Sequence, residues 1–339
     1  MTAVHDLDLH PAIRAWGERI AEHSAAFPEL AGRAAAPRRA AALRVSDLVA
    51  AEFTLPAPDD VAIDEVAIDG PDGTLRLRRF RPAGIADLAP TQLFLHGGGF
   101  FGGTVDEILN DRLCARRARD ARIQIASLEY RLAPEHRYPA AAEDAMAALT
   151  ALASDPALGA DPARLGIGGN SAGAAIAASA VILLRDRARR GETVPPVLHQ
   201  DLEVLPAALR LVGSSGERYA DGFGLDDAAE LVEVYVGPGE PPYAAAPLDV
   251  PDLTGLPPAL LMVAEFDPLR DSGIRYGERL RAAGVPATVI VGEGHLHGTP
   301  GITAALPAAR DWQDRHSRAL AAAYGTTPHE DSEPAAPAG

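Results

Sequence analysis

Hydrophobic and polar positions alternate in two stretches near the start of the chain, and helix-like sequence precedes them. Residues 61–68 and 74–80 alternate with a period of two, and the five residues DGPDG between them are typical of a turn. These stretches predict a β-hairpin. Residues 10–52 are rich in Ala, Arg and Leu and are interrupted by Pro28 and Pro37, which predicts two or three helices and no strand.

Short apolar runs of strand length follow the hairpin. They are residues 92–95, 122–127, 165–167, 198–204, 259–264 and 287–291. Helix-length segments separate several of them, at residues 106–119, 140–154, 172–189 and 271–283. Strands that alternate with helices predict an α/β fold, in which helices cover both faces of a central, mostly parallel sheet.

The alternation breaks at about residues 206–250, where a Gly- and Pro-rich acidic stretch is too long for a simple connection. We interpret this stretch as a lid or cap inserted into the core. The sequence thus predicts N-terminal cap helices at residues 1–55 and a core at 56–325 that contains the insertion. Residues 326–339 form a Pro/Ala-rich acidic tail, which we predict to be disordered.

Composition and charge narrow the range of partners. All 31 basic residues of the 339 are Arg, and the formal net charge is −16. Nucleic acids and anionic membranes attract clustered positive charge, so neither is predicted as a partner. The single cysteine, Cys114, excludes an internal disulfide, and without ligand clusters or phosphate-binding motifs we predict no metal and no cofactor. The N-terminus has no positive region followed by an apolar run, which predicts no signal peptide, no membrane insertion and a cytoplasmic location.

A candidate nucleophile lies between a predicted strand and a predicted helix. The segment Gly169-Asn170-Ser171-Ala172-Gly173 fits the pattern G-x-S-x-G. On a sharp strand-to-helix turn, a serine is held in strained backbone geometry with its hydroxyl exposed, and flanking glycines let the two elements approach each other. Five small residues recur by chance in a chain rich in Gly and Ala, so the context of Ser171 decides its interpretation.

A serine nucleophile needs donors for the oxyanion that forms when it attacks a carbonyl. The segment His96-Gly97-Gly98-Gly99-Phe100 directly follows the predicted strand at 92–95. Consecutive glycines let the backbone turn its amides outward, and ligands bind at the carboxyl ends of parallel strands. The segment is therefore a candidate anion-binding loop.

The serine also needs a base, and the base needs a group that orients it. Asp267 and Asp271 follow the predicted strand at 259–264, and we interpret Asp271 as a helix cap and Asp267 as the acid. His295 and His297 follow the strand at 287–291, and both are candidates for the base. The chain order serine, aspartate, histidine is the order of α/β-hydrolase triads.

Together these motifs resemble the hormone-sensitive lipase family, the bacterial family IV esterases of the α/β-hydrolase fold. The resemblance covers roughly residues 60–315. The blocks that carry it are HGGGF at 96–100, GNSAG at 169–173, DPLRD at 267–271 and the run at 130–144 that contains YRLAPEH.

The resemblance assigns roles to residues that match the family's motifs. It implies Ser171 as nucleophile, Asp267 as the triad acid and His297 as base, since the family's histidine is followed by glycine and, of the two candidates, His297 has that neighbour and His295 does not. It implies an oxyanion hole formed by the backbone N–H groups of three residues, Gly97, Gly98 and Ala172. It gives Arg131 and Asp144, in the run at 130–144, a role in bracing the scaffold.

The function implied is a serine carboxylic-ester hydrolase that forms an acyl-enzyme. Its substrate would be a small-molecule ester with a short or medium acyl chain, or an ester of a specialised metabolite. Two alternatives use the same fold, namely a non-hydrolytic small-molecule receptor or dehydratase and an acyl transferase or cyclase. The sequence leaves the oligomeric state open between monomer and homodimer.

Overall fold

A computed structural model describes residues 7–219 and 228–329 of the chain. The strands are β1 Val61–Gly70, β2 Gly73–Pro82, β3 Ala89–Leu95, β4 Gln124–Glu129, β5 Ala160–Asn170, β6 Gln200–Glu203, β7 Ala259–Ala264 and β8 Ala287–Gly292. The helices are α1 Pro11–Ala25, α2 Ala35–Phe53, α3 Ile108–Ala121, α4 Ala140–Ser154, α5 Ala172–Arg189, α6 Gly213–Tyr219, α7 Ala228–Val236, α8 Arg270–Ala282 and α9 Pro307–Tyr324.

The strands form one sheet in the order β1-β2-β4-β3-β5-β6-β7-β8. Strand β1 pairs antiparallel with β2, and β2 pairs antiparallel with β4. From β4 through β8 all neighbours are parallel. The predicted hairpin and the predicted mostly parallel sheet are therefore confirmed.

Helices cover both faces of the sheet because successive strand residues point to opposite sides. On β3, Leu93 and Leu95 pack in a cluster with residues of α4, α5 and α8. Phe94, between them, packs with residues of α3 and α9 on the other face. Burial on both sides explains why β3 is a continuous apolar run without alternation.

Several boundaries differ from the sequence prediction by a few residues, and two differences have a clear physical reason. Strand β5 begins at Ala160, because Ala160 pairs with Ala89 at the start of β3 and so extends the ladder beyond the predicted apolar run. Pro37 lies in the first turn of α2 and does not interrupt it. A proline is tolerated there because the first N–H groups of a helix have no partner within the helix.

The long insertion between β6 and β7 contains α6 and α7. Helix α6 packs against α8, and Tyr235 of α7 stacks on Phe100 with ring centres 3.7 Å apart. The division into cap helices, core and insertion stays a prediction. Residues 220–227 and most of the predicted tail, 330–339, lie outside the described residues. No helix in the described ranges is both long enough and apolar enough to cross a membrane.

Helix α2 is attached to the body of the protein at the start of α3. The carboxylate of Asp47 accepts a hydrogen bond from the N–H of Ile108, the first residue of α3, at 2.9 Å. Glu107, the residue before α3, makes no capping bond of its own, and its carboxylate instead accepts a bond from the hydroxyl of Ser46. Burial raises the pKa of Glu107. Helix α2 therefore supplies the cap that α3 lacks.

The pair Arg131–Asp144 joins the segment after β4 to α4. Asp144 is fully buried, and its carboxylate accepts bonds from the backbone N–H of Arg131 at 2.9 Å and from its guanidinium at 2.8 Å. A buried carboxylate with a charged partner and a backbone donor fixes the relative position of the two segments. This geometry fits the bracing role expected of the two residues.

We expect Asp144→Asn to lower the free energy of unfolding by about 2–3 kcal/mol, because it leaves the Arg131 guanidinium without its buried counter-charge. Glu143→Gln is the matched control, since the Glu143 carboxylate is 3.9 Å from the same guanidinium but exposed. The control should cost less than about 0.5 kcal/mol. Urea unfolding of both variants measures the difference, and equal losses would contradict the bracing role.

Candidate active site

Ser171 lies on a sharp turn between β5 and α5. Its backbone angles are φ 52° and ψ −122°, a region that residues other than glycine rarely adopt. Its N–H donates to the carbonyl oxygen of Glu203 on β6 at 2.9 Å, which holds the turn against the neighbouring strand. The predicted strain at this serine is confirmed.

The glycines on either side of this turn are required by a close approach to β3. A Cβ atom on Gly169 would lie 2.5 Å from the carbonyl oxygen of Leu95, and one on Gly173 would lie 2.0 Å from it. Neither distance is possible for real atoms. The turn can therefore lie against the end of β3 only with glycine at both positions.

His297 bridges Ser171 and Asp267. Its Nε2 atom is 2.9 Å from the Ser171 hydroxyl oxygen, and its Nδ1 atom is 2.8 Å from a carboxylate oxygen of Asp267. Asp267 is fully buried, and its other carboxylate oxygen accepts a bond from the N–H of Leu269 at 2.8 Å. When Nδ1 carries the ring proton and donates a hydrogen bond to Asp267, Nε2 is free to accept the hydroxyl proton of Ser171.

Electrostatics favour a basic imidazole at His297. Burial lowers its pKa, but the charge of Asp267 and the hydrogen bond to it outweigh burial, so the pKa is raised above the ordinary value. An imidazole held by a buried carboxylate is a stronger base than a free one. The three residues expected to act together are thus in direct contact.

His295, the other candidate base, lies in a different environment. It is buried, its Nδ1 atom is 2.8 Å from the hydroxyl oxygen of Thr299, and its ring contacts Trp312 edge to face. Burial lowers the pKa of His295. Of the two histidines left open by the residue pattern, the structure places His297 at Ser171.

The interpretation of Asp271 as the cap of its own helix is wrong. Helix α8 begins at Arg270 with Leu269 as its N-cap, so Asp271 lies inside the first turn. Its carboxylate accepts bonds from the N–H of Ser215 at 3.0 Å and from the hydroxyl of Ser214 at 3.2 Å. Asp271 therefore caps α6, in the insertion, through a contact that its local sequence does not indicate.

The loop of residues 96–100 after β3, which we call the glycine loop, lies beside the serine. A Cβ atom on Gly97 would lie 3.4 Å from Cβ of Ser171. Gly98 has φ +129°, and a Cβ there would lie 2.1 Å from the carbonyl oxygen of Gly102. Ala172 is the first residue of α5, so its N–H has no acceptor within the helix. Gly97 and Ala172, two of the three residues expected to form an oxyanion hole, thus flank Ser171, and Gly98 lines the same cavity as Ser171.

His96 and Tyr130 hold the base of the glycine loop. Their rings stack with centres 4.3 Å apart, and the Tyr130 hydroxyl donates to the carbonyl oxygen of His96 at 2.7 Å. The Nδ1 atom of His96 is 2.8 Å from the carbonyl oxygen of Gly97. Burial lowers the pKa of His96, which favours the neutral ring. These contacts anchor the loop where it leaves β3.

A cavity of about 940 Å³, which we call the serine cavity, contains Ser171 and His297. The glycine loop and residues of α2 form much of its wall. Arg39 of α2 also ties the wall together, because its guanidinium donates to the carbonyl oxygens of Phe101 at 2.5 Å and Ala133 at 2.7 Å. The N-terminal helices, which lie outside the range covered by the family resemblance, thus contribute directly to the site.

Arg117 and Glu203 form a buried ion pair in the wall of the serine cavity, which the sequence analysis missed. They are 2% and 4% exposed, their charged atoms are 2.8 Å apart, and the Trp312 ring N–H donates to Glu203 at 2.6 Å. One signal was present: Asp201 and Glu203 interrupt the apolar run that predicts β6. Acidic residues in a buried strand need partners. The pair lies next to the turn at residues 169–173, which we call the serine turn, because the N–H of Ser171 donates to the backbone of Glu203.

Metal ions in proteins are held by clusters of His, Cys, Asp and Glu side chains. In the parts of the chain that the structure describes, His, Cys, Asp and Glu side chains do not gather in groups of three or more that could hold one. The groups around Ser171 that can take part in chemistry are its hydroxyl, the imidazole of His297, the carboxylate of Asp267 and the neighbouring backbone amides.

Comparisons with known proteins point to the same chemistry. A sequence profile of a family with the alpha/beta hydrolase fold matches residues 92–300. The esterase LipI of Mycobacterium tuberculosis is 40% identical over 275 residues, which span 78% of this chain and 83% of LipI. The ethyl acetate hydrolase of Pseudomonas putida is 34% identical over 256 residues, spanning 71% of this chain and 76% of that protein.

A solved structure resembles the whole arrangement. It is an ester hydrolase from the metagenome of Lake Arreo, complexed with a derivative of bipyridine phosphonate. It superposes on this chain with a TM-score of 0.82 at 33% identity, and the match covers 94% of this chain and 100% of the other. The similarity therefore extends beyond the profile match to the N-terminal helices.

We expect the rate at which a fluorophosphonate labels Ser171 to fall as the pH drops through the pKa of His297. Only the neutral ring accepts the serine proton, and the raised pKa places the midpoint above the ordinary histidine value of 6.5. Asp267→Asn removes both causes of the rise and leaves burial alone, so the midpoint should move below 6.5 and the rate should drop by about 10³-fold or more. Asp271→Asn is the control and should leave the midpoint unchanged. An unchanged midpoint in Asp267→Asn would count against the pairing.

Proposed function

The chain belongs to the hormone-sensitive lipase family of esterases within the α/β-hydrolase fold and is a carboxylic-ester hydrolase, and on that premise we propose that Ser171, His297 and Asp267 are its catalytic triad. One observation carries the proposal. His297 contacts Ser171 through Nε2 at 2.9 Å and Asp267 through Nδ1 at 2.8 Å. A nucleophile, a base and an orienting acid in one chain of hydrogen bonds are the minimum that serine catalysis needs.

In the first half of the reaction, the Ser171 oxygen attacks the carbonyl carbon of the ester while His297 takes the hydroxyl proton on Nε2. The carbonyl double bond opens, and its oxygen becomes an anion that the N–H groups of Gly97, Gly98 and Ala172 stabilise. The intermediate then expels the alcohol. His297 returns the proton to the alcohol oxygen, and the acyl group stays on Ser171.

In the second half, water replaces the alcohol. His297 takes a proton from the water, whose oxygen attacks the acyl carbon and forms a second oxyanion in the same place. This intermediate collapses, the carboxylic acid leaves, and His297 returns the proton to Ser171. Each half uses the same donors and the same base, so one arrangement serves both steps.

Asp267 fixes the tautomer of His297 and stabilises the imidazolium that forms in each half. Its carboxylate is kept in orientation by the N–H of Leu269. Because Asp267 is fully buried, its charge acts on the imidazole with little screening by water. The raised pKa of His297 follows from the same interaction.

We propose esters with short or medium acyl chains as substrates. The similarity to a protein named ethyl acetate hydrolase supports small esters. Neither a receptor or dehydratase nor an acyl transferase or cyclase is favoured, because the relatives are named as ester hydrolases and the contacts of Ser171 and His297 are complete.

We expect Ser171→Ala to reduce hydrolysis of p-nitrophenyl esters by roughly 10⁴-fold or more, because no other group can form the acyl-enzyme. The wild-type rate should be highest between the acetate and the octanoate and low for the palmitate. Ser154→Ala, which removes an exposed hydroxyl on α4, is the matched control and should be fully active. A fluorophosphonate should label the wild type and the control but not Ser171→Ala. If Ser171→Ala kept wild-type activity, the triad assignment would be wrong.

The glycine loop can be tested by one substitution within it and one just beyond it. Gly98→Ala places a methyl group 2.1 Å from the Gly102 carbonyl oxygen at a φ that only glycine adopts easily, so the loop must move. The displaced amides should then lower kcat by at least about 10²-fold. Gly102→Ala is the control, because its methyl would meet its nearest neighbour at an ordinary 3.6 Å. Steady-state kinetics with p-nitrophenyl acetate compare the two, and similar losses in both would argue against an oxyanion hole here.

A further inference from the structure

A second cavity opens beside the serine cavity. It has a volume of about 300 Å³ and lies between α1, α2 and the loop that follows His297. We call it the apolar arm. Its walls are largely hydrophobic and include Trp16, Ile20, Val45, Val49, Phe53 and Ile302.

The apolar arm and the serine cavity adjoin each other. Ala42 and Leu109 line both, and so do Gly298 and Gly301 from the loop after His297. The arm therefore borders the serine cavity along the loop that follows His297. An apolar recess of this kind holds hydrocarbon, because water inside it makes few hydrogen bonds.

The arm lies on the base side of the serine. Gly298 directly follows His297, and a Cβ atom on Gly298 would lie 2.9 Å from the Trp16 ring, so that ring closely approaches the loop of the base. Among the described residues that line the arm, none belongs to the glycine loop or to the serine turn. Those elements line only the serine cavity.

The side of the serine on which the arm lies decides which half of an ester it can hold. In the tetrahedral intermediate, the oxyanion faces the N–H groups of the glycine loop and of Ala172. The oxygen that leaves must face Nε2 of His297, since His297 gives it a proton. The alcohol's carbon chain is attached to that oxygen, so it begins beside His297, on the side of the site where Gly298 borders the arm. The acyl chain points the other way.

We propose that the apolar arm binds the alcohol portion of the substrate, so that the protein prefers esters of hydrophobic alcohols. This inference rests on the triad proposed above. The acyl group is left in the part of the serine cavity near Asn170 and Glu203, where polar side chains line the wall. The preference for chain length should therefore be stronger in the alcohol than in the acid.

Two series of esters separate the two halves. One series consists of acetates from ethyl acetate to hexyl acetate, and the other of ethyl esters from acetate to hexanoate. Ser24→Phe fills the arm from α1, because Ser24 lines the arm but not the serine cavity. It should lower kcat/KM for hexyl acetate relative to ethyl acetate by at least about tenfold. The ratio of ethyl hexanoate to ethyl acetate should change less than about twofold.

A second variant works in the opposite direction. Trp16→Ala enlarges the arm, so the best alcohol should shift to a longer chain while the best acid stays the same. Ala21→Phe adds the same ring as Ser24→Phe at an exposed position of α1 outside the arm, and it should leave both series unchanged. Fluorophosphonate labelling of Ser171 measures the fraction of active protein in each variant, so that a loss of folded protein is not taken for a loss of selectivity.

The possible results have distinct meanings. Selective changes in the alcohol series, in opposite directions for the two variants, would support the proposal. Changes that follow the acyl series, or that affect both series or neither, would overturn it while leaving the triad in place. A wild type that hydrolyses every ester but loses none of its activity in Ser171→Ala would instead overturn the triad on which the proposal rests.

Discussion

The backbone contact between the end of β3 and the serine turn sets the position of everything else in the site. The carbonyl oxygens of Leu95 and His96 occupy the space where a side chain at position 173 would begin. This contact brings the glycine loop, which continues from β3, against the residue that starts α5. Ser171 and the amides expected around its oxyanion are thus placed by main-chain packing before any side chain contributes.

The sheet order supplies the other two members of the constellation. Strands β5 to β8 are neighbours in chain order, so Ser171, Asp267 and His297 leave the sheet at the same edge. The buried pair Arg117–Glu203 lies under this edge and fills a region where two charges would be costly without each other. The site therefore combines a rigid layer of packed residues beneath it with a Ser171 hydroxyl held in strained backbone geometry.

Much of this could be predicted from the sequence, because the decisive signals are local. A glycine pattern, a residue at the end of an apolar run and the order of three residues need no knowledge of distant contacts. The features that the sequence did not predict depend instead on contacts between residues that are distant in the chain. The sequence did not predict that Asp271 caps α6, because its partner, Ser215, is distant in the chain. Glu203 pairs with Arg117 in the same way. Such pairs are made by tertiary packing, and local sequence carries no record of them.

The cap that Asp47 provides for α3 has a consequence for how this protein could change. Helix α2 also ends in bonds to the loop of the base, since the Thr54 hydroxyl donates to the carbonyl oxygen of Gly301 at 3.0 Å. Lifting α2 would uncover the start of α3 and pull on the segment that carries His297. The access of a substrate to the serine cavity and the alignment of His297 therefore both depend on the position of α2. Adaptation to bulkier molecules would have to proceed by trimming side chains on the inner surface of α2 rather than by loosening the helix.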